Sequence, residues 1–380
     1  MKNIVILLSI LCLSCQFHAK SSEGEVLADT LSVDMSEPER VQLSPIEAGD
    51  FLMKDETAFG EVIELKGENL VPDTFIWRTL QSMMVWKGSK AVVSNNDFRG
   101  GSRPFLMFEY PSMRFIRKIG TIGNGPDEFM VTQVVPATDD SLLCYLYEET
   151  KDKLYECDFE GNFKPYPYPF DSSIKQGFST KSDIYNVGKD DFFYVNDSKT
   201  GKSIFRSTMN GDSMSVQELY SLQLNPKRKS PFAYIGSFAV NLDRNRMFYA
   251  YKYFRILRFM DLEGNDVRTL NFQQTEFDYG SLKIADGLDR NITYYWERPA
   301  VTDKYIYILY SGRTPADAVR ESSKGNIYIY LEQYDWNGNP IKKYRLDRWG
   351  YVYLDEQRNE IIMLSTWDDD PFWRYKFPVE

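Results

Sequence analysis

The chain has 380 residues, 43% hydrophobic and 15% aromatic, with a formal net charge of -10 and a mean hydropathy of -0.44. That acidity leaves no electrostatic footprint for nucleic acid, and the hydropathy fits a body folded in water and not a bundle of membrane helices. The single histidine, His18, lies near the N-terminus, which excludes histidine-based catalysis and histidine-held zinc over the rest of the chain.

Residues 1–15, MKNIVILLSILCLSC, place one lysine before an apolar run from Ile4 to Leu13. That run is about half of the roughly 20 residues a membrane-spanning helix needs, so it reads as the core of a signal peptide. Leu13-Ser14-Cys15 resembles the lipobox of bacterial lipoproteins, which implies cleavage before Cys15 and lipidation of its thiol, with plain secretion as the alternative. The lipid is then the expected membrane contact. Residues 16–58, including SSEGEVLADTLSVDMSEPER, are acidic and rich in small polar side chains, so a flexible tether is expected there and a folded body over 59–380.

Past residue 59 one pattern recurs. An aromatic strand enters a turn and an alternating strand leaves it, as in KLYECDFEGNFKPYPYPF, SIFRSTMNGDSMSVQELY, RILRFMDLEGNDVRTLNF and YLEQYDWNGNPIKKYRL. Their turn glycines, Gly161, Gly211, Gly264 and Gly338, are 50, 53 and 74 residues apart. LMFEYPSMRFIRKIG is an earlier copy without glycine in the turn. Less polar hairpins alternate with these, beginning at SMMVWKGSKAVVSN and ending at YVYLDEQRNEIIMLS, to give six inner and five complete outer hairpins. Units of four strands and about 50 residues predict an all-β, six-bladed propeller with four-stranded antiparallel blades. The last unit lacks one strand, since only PFWRYKF follows Ser365. Residues 59–66, FGEVIELK, are therefore expected to complete that blade from the N-terminal side and close the ring. A short helix is expected after Thr314, where Thr314-Pro315-Ala316-Asp317 supplies a cap, a first-turn proline and an acid.

Between the first two units lies GTIGNGPDEFM. A phosphate cradle would lead into a helix, yet a β-branched strand follows, so the stretch reads as a blade-to-blade turn. Gly123, Gly125 and Pro126 would make the turn, Asp127 and Glu128 would bond nearby amides and Phe129 would wedge between blades, with a ligand role for the two acids as the alternative. Cys144 and Cys157 flank Glu149-Thr150-Lys151-Asp152 almost symmetrically. If their strands form a hairpin the sulfurs could pair in an oxidising compartment; two separate buried thiols are the alternative.

The run Gly123 to Phe129, GNGPDEF, together with the tyrosine-rich strand ending at Tyr310-Ser311-Gly312, resembles the TolB-like six-bladed propeller lipoproteins of Bacteroidetes. The resemblance covers roughly 59–380 and the lipobox, and implies the propeller fold but no catalytic residues. In such lipoproteins early acids after the cysteine favour surface display; Cys15 is followed by Gln-Phe-His-Ala-Lys, which favours the periplasmic side of the outer membrane.

No catalytic set, cofactor or metal site emerges. Asp368-Asp369-Asp370 lacks the alternating pattern of a calcium loop and reads as a solvated acidic loop. In a propeller the loops between blades and those joining second to third strands share a face. That face is expected to collect Arg99, Arg103, Tyr251, Tyr253, Arg313, Arg348, Trp349, Trp367 and Asp368, of the residue types that anchor interfaces and stack on sugars, with an ordinary exposed surface as the bland alternative. The expected role is binding of a protein or glycan partner. The alternative is a calcium-dependent hydrolase or lyase using carboxylates near the central channel.

Overall fold

Three turns of one sequence, D-x-x-G-N, show how the outer hairpins form. Asp158 Oδ1 accepts the backbone N–H groups of Glu160 (2.8 Å) and Asn162 (2.9 Å), while Oδ2 accepts the Asn162 side-chain amide (2.8 Å). Asp261 and Asp335 repeat the arrangement with Asn265 and Asn339. The intervening glycines have φ between 74° and 85°, a region costly for any residue with a side chain.

The computed structural model describes residues 49–71, 82–95, 103–168, 181–227, 230–272, 291–365 and 368–378. The leader with Cys15, residues 16–48, Arg99 and Trp367 lie outside them. The first described elements are strand β1 (Gly49–Leu52), a helical turn α1 (Asp55–Ala58), β2 (Ile63–Leu65) and β3 (Glu68–Asn69). Blade 1 is β4 to β7 (Met83–Lys87, Lys90–Ser94, Phe105–Glu109, Arg114–Ile119) and blade 2 is β8 to β11 (Thr132–Pro136, Leu142–Glu148, Lys153–Asp158, Phe163–Pro165). Blade 3 is β12 to β15 (Ser182–Gly188, Asp191–Ser198, Gly201–Asn210, Ser213–Ser221). Blade 4 is β16 to β19 (Gly236–Asn241, Arg246–Tyr251, Ile256–Met260, Asp266–Asn271). Blade 5 is β20 to β23 (Thr293–Val301, Tyr305–Arg313, Ile329–Asp335, Pro340–Leu346), and blade 6 is β24 to β26 (Gly350–Asp355, Glu360–Ser365, Phe372–Lys376) completed by β3. The helix expected after Thr314 is α2 (Pro315–Ser322), capped by Thr314 Oγ1, which accepts from Asp317 N–H at 3.1 Å.

Burial follows position in the blade. Second strands are covered on both faces by neighbouring blades, so β17, RMFYAY, is buried at every residue. Fourth strands meet solvent, so in β15, SMSVQELYS, Tyr220 alone is buried. The apolar core is accordingly a set of clusters between successive blades, not one central mass.

The N-terminal segment departs from the expected course in two ways. Residues 49–58, expected to be tether, contain β1, which adds in parallel to the outer strand β19 of blade 4, Gly49 opposite Arg268 through Leu52 opposite Asn271. The expected closing strand 59–66 provides only β2, and β2 pairs in parallel with β23 of blade 5. The ring is closed instead by β3, antiparallel to β26, with Trp373 opposite Asn69 and Arg374 opposite Glu68. Leu70 N–H donates to Phe372 O (2.8 Å), and Arg374 pairs with Glu68 (2.7 Å). Gly67 lets the backbone step between these blades: its N–H donates to Asp347 Oδ1 at 3.1 Å, and a Cβ there would lie 2.8 Å from Tyr375 Cζ.

The 120–130 turn fills the seam between blades 1 and 2. Phe129 is fully buried, with its ring 5.1 Å from Phe105, 5.0 Å from Tyr155 and 5.0 Å from Phe163. Gly125 N–H donates to Glu128 Oε2 (2.7 Å), and a Cβ on Gly123 would sit 2.1 Å from that oxygen. Pro126 presents its carbonyl to the Tyr155 hydroxyl at 2.7 Å. Cys144 and Cys157 stand opposite each other across β9 and β10, yet both remain free, buried thiols. Directly opposed positions on adjacent strands constrain disulfide geometry. Phe129→Ala is expected to cost about 3–5 kcal/mol, read from denaturant midpoints, whereas Asp127→Ala at the exposed tip of the same turn should stay within about 0.5 kcal/mol.

Candidate functional site

Two β-bulges on innermost strands carry charge to the propeller axis. In β12 the register against β13 slips between Ser182 and Tyr185, and Asp183 has a φ of 48°. In β20 it slips against β21 between Trp296 and Ala300, and Glu297 has a φ of 63°. Positive φ in a residue with a side chain costs of order 1–3 kcal/mol, and bulges re-aim side chains that a regular strand would send to opposite faces. Here Glu297 and its neighbour Arg298 both line one cavity.

The cavity measures about 260 Å³, and every lining residue comes from β4, β8, β12, β20 or β24, the first strands of five blades. Its walls are mostly apolar, with Met84, Trp86, Val134, Pro299 and Leu354 among them. The Arg298 guanidinium lies 3.7 Å above the Tyr185 ring. Asp183 Oδ2 accepts the N–H of Phe238 from β16 at 3.0 Å. Enclosure pushes the Glu297 carboxyl up to about 7 against the pull of Lys252, and the Asp183 carboxyl up to about 6 against the pull of Arg298. The same enclosure lowers Lys252, on the loop between β17 and β18. Neither Glu297 nor Arg298 forms an ion pair among the described residues. Among those residues no group of three or more His, Cys, Asp or Glu side chains is placed to hold a metal ion. The two axial carboxylates are each set against a cation, an arrangement unlike the several oxygens that surround calcium.

The loop face is built differently from expectation. Arg103 is exposed and donates to Gly120 O (2.7 Å) and Thr121 Oγ1 (2.8 Å), tying together two loops of blade 1. Tyr251 is not on the surface: it is fully buried, its hydroxyl donating to Leu222 O at 2.9 Å, because the alternation of β17 turns it between blades. Tyr253 is half-buried against Phe232, with ring centroids 5.6 Å apart.

At blades 5 and 6 four of the expected residues gather. Arg313 donates to Glu321 Oε2 (2.5 Å) and Tyr328 O (2.6 Å), and its guanidinium lies 3.9 Å over the Tyr328 ring and 5.4 Å from Trp349. Trp349 packs on Trp296, with ring centroids 4.9 Å apart, and Arg345 lies 4.3 Å over the other contact of Arg313, Tyr328. Next to them Arg348 lies 4.2 Å over Trp373 and 3.5 Å from Asp368, which also accepts from Ser365 Oγ. Trp296, Tyr328, Glu297 and Arg298 were missed from sequence. The signal was W-E-R-P, two charges and a proline inside a strand otherwise apolar and aromatic, the mark of a bulge.

Residues 58–353 match the family model described as TolB-like 6-blade propeller-like. Among curated proteins none matches the chain. A solved structure of a member of the DUF4221 family from Bacteroides vulgatus aligns with a TM-score of 0.55 and 8% identity, covering 84% of this chain and 98% of that one. A structure named for an exported protein of Bacteroides fragilis aligns with a TM-score of 0.50 and 10% identity, covering 87% and 99%. At these identities the likeness is one of fold.

The axial carboxyl makes a pH-dependent prediction for the ligand-free protein. Folding raises Glu297 from 4.5 to about 7, so the stability this carboxyl contributes is present below pH 4.5 and is lost as pH rises through about 7. Relative to the parent, Glu297→Gln should be near neutral at pH 4.5 and gain about 3 kcal/mol at pH 8, at about 1.4 kcal/mol per unit, as read from denaturant titrations at the two pH values.

Proposed function

The chain belongs to the TolB-like six-bladed propeller family, and from that premise we propose that it is a lipid-anchored binding protein of the bacterial cell envelope, recognising a protein or glycan partner. The supporting observation is the partly buried cluster on the loop face in which Arg313, its side chain 11% exposed, spans Tyr328 and Trp349, with Trp296 behind. Stacked guanidinium and indole groups offer flat area and little rotamer entropy to lose, properties of interface anchors and sugar platforms. Arg313 is already fixed by Glu321 and the Tyr328 carbonyl, so its geometry is set before a partner arrives.

The address rests on the sequence of the leader. The short apolar run ending at Leu13-Ser14-Cys15 fits lipidation of Cys15, and the absence of early acids after it fits the periplasmic side of the outer membrane. The exported protein of Bacteroides fragilis noted above agrees with that address by name.

The reading is tested by capture from solubilised membranes and on a glycan array, using the parent, Trp349→Ala and Arg313→Ala. Each variant should retain the parent melting temperature within a few degrees and lose at least tenfold in affinity for whatever the parent captures; unchanged capture by both would overturn the reading. Radiolabelled palmitate should enter the parent and not Cys15→Ala.

A further inference from the structure

We propose that the axial cavity is a second binding site, separate from the loop face, for a small zwitterion with an apolar body, of the class of an apolar α-amino acid. The argument starts from two opposite charges that the chain holds side by side and does not pair. Glu297 and Arg298 are neighbours in sequence, both line the cavity, and neither forms an ion pair among the described residues. Enclosing charges whose counter-charges stand apart from them is costly, and the bulge that does so adds a positive φ at Glu297. Packing alone would be served better by two apolar side chains.

Each group is presented in a form suited to a ligand. The Arg298 guanidinium lies over Tyr185, 3.7 Å from the ring centre. A stacked guanidinium keeps its N–H fork in its own plane, where it can receive a carboxylate through two parallel bonds. The Tyr185 ring contacts it and the charge of Asp183 attracts it. Glu297, set beside the Trp296 indole and within reach of the Lys252 charge, offers carboxylate oxygens to an ammonium group. The remaining surface is apolar, from Met84, Trp86, Pro299 and Leu354.

Charge balance and size narrow the class. Asp183 and Glu297 offset Arg298 and Lys252, so the site complements a ligand with both signs and no net charge. At about 260 Å³ the cavity falls just below the range of about 300–1,000 Å³ typical of larger ligands, which suits an amino acid and not a nucleotide or an oligosaccharide.

The test is isothermal titration calorimetry on detergent-solubilised full-length protein at pH 7.5. The probes are L-leucine, L-phenylalanine, 3-phenylpropionate, phenethylamine and calcium chloride. At least one of the two amino acids should bind with one-to-one stoichiometry, and both single-charge analogues of phenylalanine should bind at least tenfold more weakly than it or not at all. Arg298→Met should reduce amino-acid affinity at least tenfold while leaving any phenethylamine binding unchanged, and Glu297→Gln should reduce it at least tenfold while leaving any 3-phenylpropionate binding unchanged. Trp349→Ala, on the loop face, should leave amino-acid binding unchanged, so failure of either site is read apart from the other. Absence of amino-acid binding, equal binding of the single-charge analogues, or indifference to both axial variants overturns the proposal. If a variant does not fold, as judged by its melting curve, the ligand series on the parent protein decides.

Discussion

The two hydrogen-bonded residues of β3 are the joint on which the ring depends. A propeller is a row of sheets until its ends meet, and an open row would leave the blade 6 strand β26 as a bare edge beside an unpacked face of blade 1. Pairing Glu68 and Asn69 with β26 brings Phe372 to within 5.3 Å of Phe108, joining the last blade to the first. The approach to that joint also uses the N-terminal segment as a hoop: β1 lies on the outer edge of blade 4 and β2 on that of blade 5 before Gly67 admits the step to blade 6. Closure converts six similar sheets into one object with an axis, and the axis is where the chain departs most from regular strand geometry.

Two groups of enclosed charges show what that departure means. Between blades 4 and 5, Arg255 lies between Phe272 and Tyr310, at 4.5 and 4.0 Å, and pairs with Glu332 at 2.8 Å; Lys343 shares the same carboxylate at 2.9 Å, and Tyr334 donates to its other oxygen. That network has opposite charges in direct contact, needs no strained backbone among its members, and reads as a tie between blades. At the axis the charges are kept out of contact, and two residues with side chains, Asp183 and Glu297, take positive φ to hold them there. Similar residue types are thus arranged in two ways: in direct contact where they join blades, apart where the blades converge.

The aromatic content follows the same division. Most of it is interior, as at Phe129 and Tyr251, where rings fill the seams between twisted sheets. A smaller share, Trp296, Tyr328 and Trp349, remains half-exposed on one face and carries arginine over it.

Sequence by itself determined the repeat. Hairpin turns such as D-x-x-G-N are closed by contacts within five residues, and strand alternation needs only a local water-facing side, so six four-stranded units and the cap at Thr314 could be read directly. What tertiary structure alone decided depends on partners hundreds of residues apart. The closing strand fell on Glu68–Asn69 and not on 59–66 because Gly67 fits against Tyr375, a contact no local pattern encodes. Tyr251 was assigned to the surface because strand ends resemble one another in sequence, whereas its burial depends on which face of β17 meets the neighbouring blade. The axial charges were hidden for a related reason: a bulge changes the parity of every side chain around it, so where Asp183, Glu297 and Arg298 point is set by the register of their strands against their neighbours and by the closing of the ring, and only then do residues from five blades face one cavity.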